Sequence, residues 1–420
     1  MTGVADTRPR WSPWRAIVGF GIVSLAADMV YEGARSITGP LLGSLGATAV
    51  LVGLVTGAGE AAALVLRLVF GPLADRSGRY WGLTVAGYGL TAVCVPLLAV
   101  TPFLGGAGLA VACVLVLAER TGKAIRSPSK SALLAQVATQ VGLGRGLGVH
   151  KALDQVGAFA GPLLVAAIIA TTGAIWPAML ALAVPGAAAM ALLVWLQRRA
   201  PRPTVDSPTA GLAPEPVGRV STGVRDVLRA GIGTGLPREF FRFAVSSGAT
   251  TAGLVTFGVI SYHLTTTEVL GVAGVPVVYA AAMAAAAVAA LATGLSYDRY
   301  GARVLYVLPV LVVAVPALAF SGTLAVAVGG VLLWGAAVGL QDSTVKALVA
   351  DLVPAAQRAT AYGVFAALQG ASAVVGGGVG GYLSGRSIPL LVAFVAATQL
   401  VAVVLLARTL RGSAVAVPRK

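Results

Sequence analysis

The chain has 420 residues, of which 57% are hydrophobic and 11% charged, with a mean hydropathy of +0.89. A soluble domain carries about 25% charged residues, so this composition excludes an ordinary soluble protein. The net charge of +15 would suggest a nucleic-acid partner in a soluble chain, but its placement along the sequence argues against that here.

Apolar runs of about 20 residues alternate with short polar breaks, the pattern of membrane-spanning helices. The runs are continuous and not alternating, which excludes a transmembrane β-barrel. Twelve spans are predicted, at 15–35, 48–70, 81–101, 107–126, 147–170, 174–196, 239–263, 270–293, 303–320, 323–342, 359–384 and 388–409. The fold class is therefore all-α integral membrane. Of the 30 Lys and Arg residues, only Arg35 and Arg386 fall in breaks on the side opposite the rest. By the positive-inside rule both termini are expected in the cytoplasm. Arg outnumbers Lys by 25 to 5, the codon usage of a GC-rich bacterial genome. No cleavable signal peptide is read at the N-terminus.

In the first span Asp28 and Glu32 are four residues apart and share a helix face. Glu60 lies near the middle of the second. Ionised carboxylates at bilayer depth are costly unless they face a cavity or a partner, and a desolvated carboxylate can carry a proton reversibly. Asp28, Glu32 and Glu60 are therefore candidates for proton coupling or substrate contact; structural pairing, such as Glu32 with Arg35, is the alternative. The second and third spans are joined by Gly71-Pro-Leu-Ala-Asp75-Arg76-Ser-Gly78-Arg79. Cys94 and Cys113 sit inside apolar runs and are read as core residues; no metal site and no cofactor is indicated.

The fourth span must run to about Arg126 to cross about 30 Å at 1.5 Å per residue. That carries Glu119, Arg120 and Lys123 into the membrane, with Glu119, Lys123 and Arg126 on one face. Such a cluster suits an anionic or zwitterionic substrate, or an inner gate. The fifth span opens with His150, Lys151 and Asp154, and then carries Gly157, Gly161 and Pro162. His150 and Asp154 share a face and are candidates for a proton relay; capping of the entry helix or contact with the loop between the second and third spans is the alternative.

The long polar stretch 197–238 is basic and rich in Pro. It is read as a cytoplasmic linker, with a surface helix near 221–230, between six-helix bundles at 1–196 and 239–420. The hairpin then recurs as Gly294-Leu-Ser-Tyr-Asp298-Arg299-Tyr-Gly301-Ala-Arg303. Arg145 precedes Gly157 by twelve residues and Arg358 precedes Gly370 by twelve. An internal duplication follows, and it points to a transporter. In this register the counterparts of Glu119, Arg120 and Lys123 are Trp334, Gly335 and Val338. Asp342 and Lys346, four apart, are expected to pair. The eleventh span is crowded with glycines, from Gly370 to Gly381, as close helix packing requires.

With these motifs the chain resembles the major facilitator superfamily. The Gly71–Arg79 hairpin is similar to that family's loop motif, with Tyr80 in place of its final basic residue. Gly157, Gly161 and Pro162 resemble its antiporter motif, without the trailing glycine pair. The resemblance implies two pseudo-symmetric six-helix bundles about a central cavity, with alternating access. It also implies that Gly71, Asp75, Arg76, Gly78 and Arg79, with Gly294, Asp298, Arg299, Gly301 and Arg303, form a gating device. Asp75 would bind the free N–H groups at the start of the eleventh helix near Arg358.

The expected function is secondary active transport of a small organic solute, proton-coupled, with efflux favoured over uptake. The alternatives are proton-coupled uptake of an anionic or zwitterionic solute, and a non-transporting sensor or assembly factor. No Walker motif or catalytic triad appears, so no enzyme activity is expected. The expected partners are the solute, protons and the lipid bilayer, not nucleic acid, for a monomer in a bacterial cytoplasmic membrane.

Overall fold

A computed structural model of the protein describes residues 11–199, 236–354 and 357–412. Among these residues the regular structure is entirely helical. The first half comprises α1 (Pro13–Ser44), α2 (Ala49–Val65), α3 (Arg67–Ser77), α4 (Tyr80–Leu97), α5 (Gly108–Ala138), α6 (Leu143–Thr172), α7 (Ile175–Ala181) and α8 (Ala183–Arg199). The second comprises α9 (Arg238–Gly253), α10 (Phe257–Thr266), α11 (Gly274–Tyr300), α12 (Val307–Ala319), α13 (Leu324–Leu352), α14 (Arg358–Arg386) and α15 (Ile388–Gly412).

Ten helical stretches among the described residues are long and apolar enough to cross a membrane. One of them, Gly274–Ala319, runs for 46 residues and turns at Gly301, whose φ is +64°, so it supplies two spans. The 31-residue α5 falls outside the ten because of its charges, and it brings the spans to the expected twelve. The proposed linker 197–238, with its surface helix, lies largely outside the described residues, as does the side chain of Lys346.

One boundary differs from expectation. The sequence ends the first span at Arg35, because Ser-Ile-Thr-Gly-Pro reads as a break. The structure continues α1 to Ser44. Ser36 donates to the Gly33 carbonyl at 2.6 Å and Thr38 to the Ala34 carbonyl at 2.8 Å, so the hydroxyls are satisfied without leaving the helix. Arg35 is thus mid-helix and not in an outer break. The hairpins, in contrast, end helices as their glycines require. Gly78 caps α3 with φ +63° and Gly301 caps α11 with φ +64°, a conformation that costs a residue with a Cβ about 1–2 kcal/mol.

Small residues set the helix packing. A Cβ on Gly161 would stand 2.7 Å from Met29 Cα, which locks α6 against α1. The same logic joins the halves. A Cβ on Gly53 of α2 would lie 2.8 Å from the Gly377 carbonyl carbon of α14, and one on Gly381 would lie 3.0 Å from that of Ala49. Gly39 of α1 meets Gly258 of α10 in the same way, at 3.0 Å. Such backbone contacts are how helices associate where lipid removes the hydrophobic drive. Large apolar side chains point outward instead: Leu291, Leu295 and Val184 are 72%, 74% and 73% exposed. That belt is unfavourable in water and suited to lipid.

Candidate functional site

Asp28, Tyr31, Glu32 and Arg35 recur at helical spacing along α1 and form one polar stripe. The stripe faces Glu60 of α2 and the charges of α5. Arg35 is the hub on one side: its Nη2 is 2.8 Å from Glu60 Oε1, and its Nη1 is 3.8 Å from Glu32 Oε2. Glu60 Oε1 also lies 3.9 Å from Arg120 Nη1, and Arg120 Nε is 3.7 Å from Glu119 Oε2.

Arg120 Nη1 donates to the Tyr31 hydroxyl. Tyr31 is also a platform, with the Arg120 guanidinium 4.5 Å and the Lys123 ammonium 3.6 Å from its ring centroid. Thr91 of α4 extends the network: it accepts from Arg126 Nη1 at 2.6 Å and donates to Glu119 Oε1 at 3.3 Å. Glu119, Arg120 and Arg126 are all buried. Charges can be buried to this degree because each has a charged or hydroxyl partner.

A second cluster lies between α1, α5 and α6. Arg126 Nη2 is 3.9 Å from Asp28 Oδ1, and Asp28 lies beside Asp154. Asp154 accepts from Ser24 at 2.9 Å and pairs with Lys151 at 2.7 Å, while Lys130 donates to Ser24 at 2.9 Å. Two carboxylates thus share a pocket with Arg126, Lys130 and Lys151. His150 is buried beside them, and its Nδ1 has no hydrogen-bond partner among the described residues.

A cavity of about 460 Å³ lies between the halves. Arg35, Glu60, Arg67, Lys123 and Lys151 line it from the first half; Thr251, Trp334, Gln341, Asp342, Phe365 and Gln369 line it from the second. Lys123 and Val338, counterparts in the internal repeat, both face it. Beyond Arg35 the halves are joined by Tyr279, whose hydroxyl donates to Glu32 Oε2, and by a 2.7 Å bond between the Thr56 and Thr256 hydroxyls. At the hairpin end Lys151 is 67% exposed at its side chain, so the cavity meets solvent on that side.

The hairpin residues stand apart from this network. Asp75 is exposed and accepts from the Tyr80 hydroxyl at 3.0 Å. No bond from Asp75 to the start of α14 is present among the described residues. Tyr80, which replaces the expected basic residue, is thus the partner of Asp75. Arg76, Arg79, Asp298 and Arg303 are exposed, and Arg299 lies 5.4 Å over the Tyr300 ring. Gly71 and Gly294 make no close helix contact; a Cβ on Gly294 would meet nothing within 4 Å.

Sequence reasoning placed Asp28, Glu32, Glu60, Glu119, Arg120, Lys123, Arg126, His150 and Asp154 as candidates, and the structure gathers them into these two joined clusters. It missed the cavity role of Arg35 and Arg67, and the place of Ser24 and Lys130 in the second cluster. Lys130 is one helical turn beyond Arg126, and Arg67 interrupts an apolar run; both signals were legible.

Twelve spans in two pseudo-symmetric halves about a charged cavity define a multi-pass membrane transporter fold. The sequence profile of the Major Facilitator Superfamily matches residues 16–295 and 270–419, and the chain belongs to that superfamily. Uncharacterized proteins of Mycobacterium tuberculosis and Mycobacterium bovis are 52% identical over 412 residues, covering 97% of this chain and 95% of theirs. Among solved structures, a mutant of the nucleoside transporter NupG superposes with a TM-score of 0.72 at 13% identity, over 94% of this chain and 99% of that one. A POT family transporter in complex with 5-aminolevulinic acid gives 0.69 at 13% identity, over 98% and 97%. At such identities the likeness is one of fold alone. Membership of this family makes the protein a transporter and not an enzyme.

Proposed function

We propose that the chain is a proton-coupled secondary transporter of a small organic solute, working by alternating access between its halves. The observation that carries this reading is the pairing of a charged cavity with an adjoining cluster of two carboxylates, Asp28 and Asp154, on helices that must move together. Solute occupies the cavity. A proton taken up by the carboxylate pair changes which cations it holds, and so biases the bundle between inward-open and outward-open states. Arg126 links the two regions, since it touches both Asp28 and Thr91.

Efflux is favoured over uptake by the Gly157, Gly161 and Pro162 segment, which resembles an antiporter motif. The bundles are assigned to 1–196 and 239–420, joined by the basic linker 197–238, with both termini cytoplasmic. The protein acts as a monomer in a bacterial cytoplasmic membrane. The Asp75 hairpins serve as gates that engage only when the hairpin side is shut. The second reading, a sensor that kept the fold, lacks a use for the buried carboxylates.

The test is flux into proteoliposomes under an imposed pH gradient. Solute movement that follows the gradient and is lost in Asp28→Asn supports the proposal. Flux indifferent to pH, or undiminished in both Asp28→Asn and Asp154→Asn, refutes the coupling site.

A further inference from the structure

The cations around the cavity are not all held by acids. Four line it, Arg35, Arg67, Lys123 and Lys151, together with two acids, Glu60 and Asp342. The four cations are not equivalent. Arg35 is committed to Glu60 at 2.8 Å, and Lys151 to Asp154 at 2.7 Å. Arg67 and Lys123 have no carboxylate within ion-pair distance among the described residues.

Lys123 rests its ammonium 3.6 Å from the Tyr31 ring centroid. An aromatic face steadies a cation without consuming its N–H donors. The Nε of Arg67 is shielded from solvent and has no hydrogen-bond partner among the described residues. An unpaired cation at membrane depth is costly, and an orphaned donor adds to that cost. Both costs are relieved by one event, the arrival of an anion.

The opposite wall carries one acid, Asp342, and two fixed amides. Gln341 donates to Thr251 at 2.7 Å and Gln369 to Ser247 at 3.1 Å, so both amides are held in place. Phe365 adds an aromatic surface beside them. The amides and the ring accept an uncharged, hydrogen-bonding body. At about 460 Å³ the space suits a small solute.

We propose that this cavity binds a small organic dianion, its charged groups held by Arg67 and Lys123 and its neutral body set against Gln341, Gln369 and Phe365. The inference rests on the transport reading for its biological meaning, but binding can be measured without flux. Dicarboxylates and phosphate monoesters share the required chemistry, and the experiment separates them.

The full-length protein, purified in a neutral detergent, is followed by thermal unfolding at fixed ionic strength. The probes are succinate, glycerol phosphate, the neutral dimethyl succinate and the dication putrescine. One of the two dianions is expected to raise the unfolding midpoint in proportion to occupancy, while the ester and the diamine leave it unchanged. Affinity for that dianion should weaken by about 10-fold or more in Arg67→Gln and in Lys123→Gln. In Arg67→Lys it should stay within a few-fold of wild type. If Arg67→Gln does not fold, Lys123→Gln carries the comparison. Stabilisation by putrescine or the ester, by none of the four probes, or undiminished in the Gln variants overturns the proposal. Proteoliposome flux of a cation would remove the dianion and leave transport standing; dianion binding with no flux under any gradient would do the reverse.

Discussion

The Tyr279 hydroxyl donates to the Glu32 carboxylate across the interface between the halves. Both residues are buried or nearly so, and Arg35 Nη1 lies 3.8 Å from the same carboxylate oxygen. One acid is therefore shared by a tie to the opposite bundle and by a cation lining the cavity. This arrangement links the cavity charges to the α1–α2 end, where the halves meet at Gly39 and Gly258.

Tyr279→Phe should loosen that end without disturbing the fold. A cysteine placed at Ser261, fully buried beside Gly39 and Gly258, reports on it in a background where Cys94 and Cys113 are replaced. An impermeant maleimide, added from the side of the α1–α2 connection, should label Ser261→Cys several-fold faster in the Phe variant. Equal rates would show that the tie does not hold this end shut.

Gly53→Val should block the same closure by bulk. The site faces the Gly377 backbone, so a branched side chain forces α2 and α14 apart. Transport should fall to near background while the protein remains folded on size-exclusion chromatography. The control is Gly173→Ala, which has open space but a positive φ. It should lose about 1–2 kcal/mol of stability and keep most of its flux.

Trp334→Phe should lower thermal stability. The indole N–H donates to the Val255 carbonyl at 2.9 Å, where the chain is not helical between α9 and α10. Phe keeps the ring contacts with Phe257 and Tyr279 but leaves a buried carbonyl unpaired, a cost of about 1–3 kcal/mol. Differential scanning fluorimetry in detergent checks it, and an unchanged midpoint would mean that water replaces the indole.

Asp154→Asn should destabilise the second cluster, because Lys130, Lys151 and Arg126 then face one another with one acid fewer. Lys151→Gln alone should be mild, since the lysine is largely exposed. The double variant should recover part of the lost unfolding midpoint, as a double-mutant cycle reads for coupled charges. Strict additivity would deny the pairing.

The transporter fold was legible because it is written in long apolar runs and in a hairpin used twice. The length of α5 was legible as well: a span too short to cross without Glu119, Arg120 and Lys123 had to include them, and all three lie within that helix. Arg35 was misplaced because local punctuation, Gly39 and Pro40, resembles a break; tertiary packing of α1 against α6 and α10 overrides it. Partner choice lay beyond the sequence. Nothing in the spacing says that Glu60 meets Arg35, or that Tyr80 meets Asp75, since those pairings depend on how separate helices cross.

The charges of α5 have a consequence for how the protein is made. At the centre of a helix entering the bilayer alone, each Lys, Arg or Asp costs about 2.5–3.5 kcal/mol. This helix carries Glu119, Arg120, Lys123, Arg126 and Lys130. Its counter-charges Asp28 and Glu60 belong to α1 and α2, which leave the ribosome first. Chain order therefore puts the acids in the membrane before the bases arrive, and α5 is expected to integrate only alongside helices already seated there.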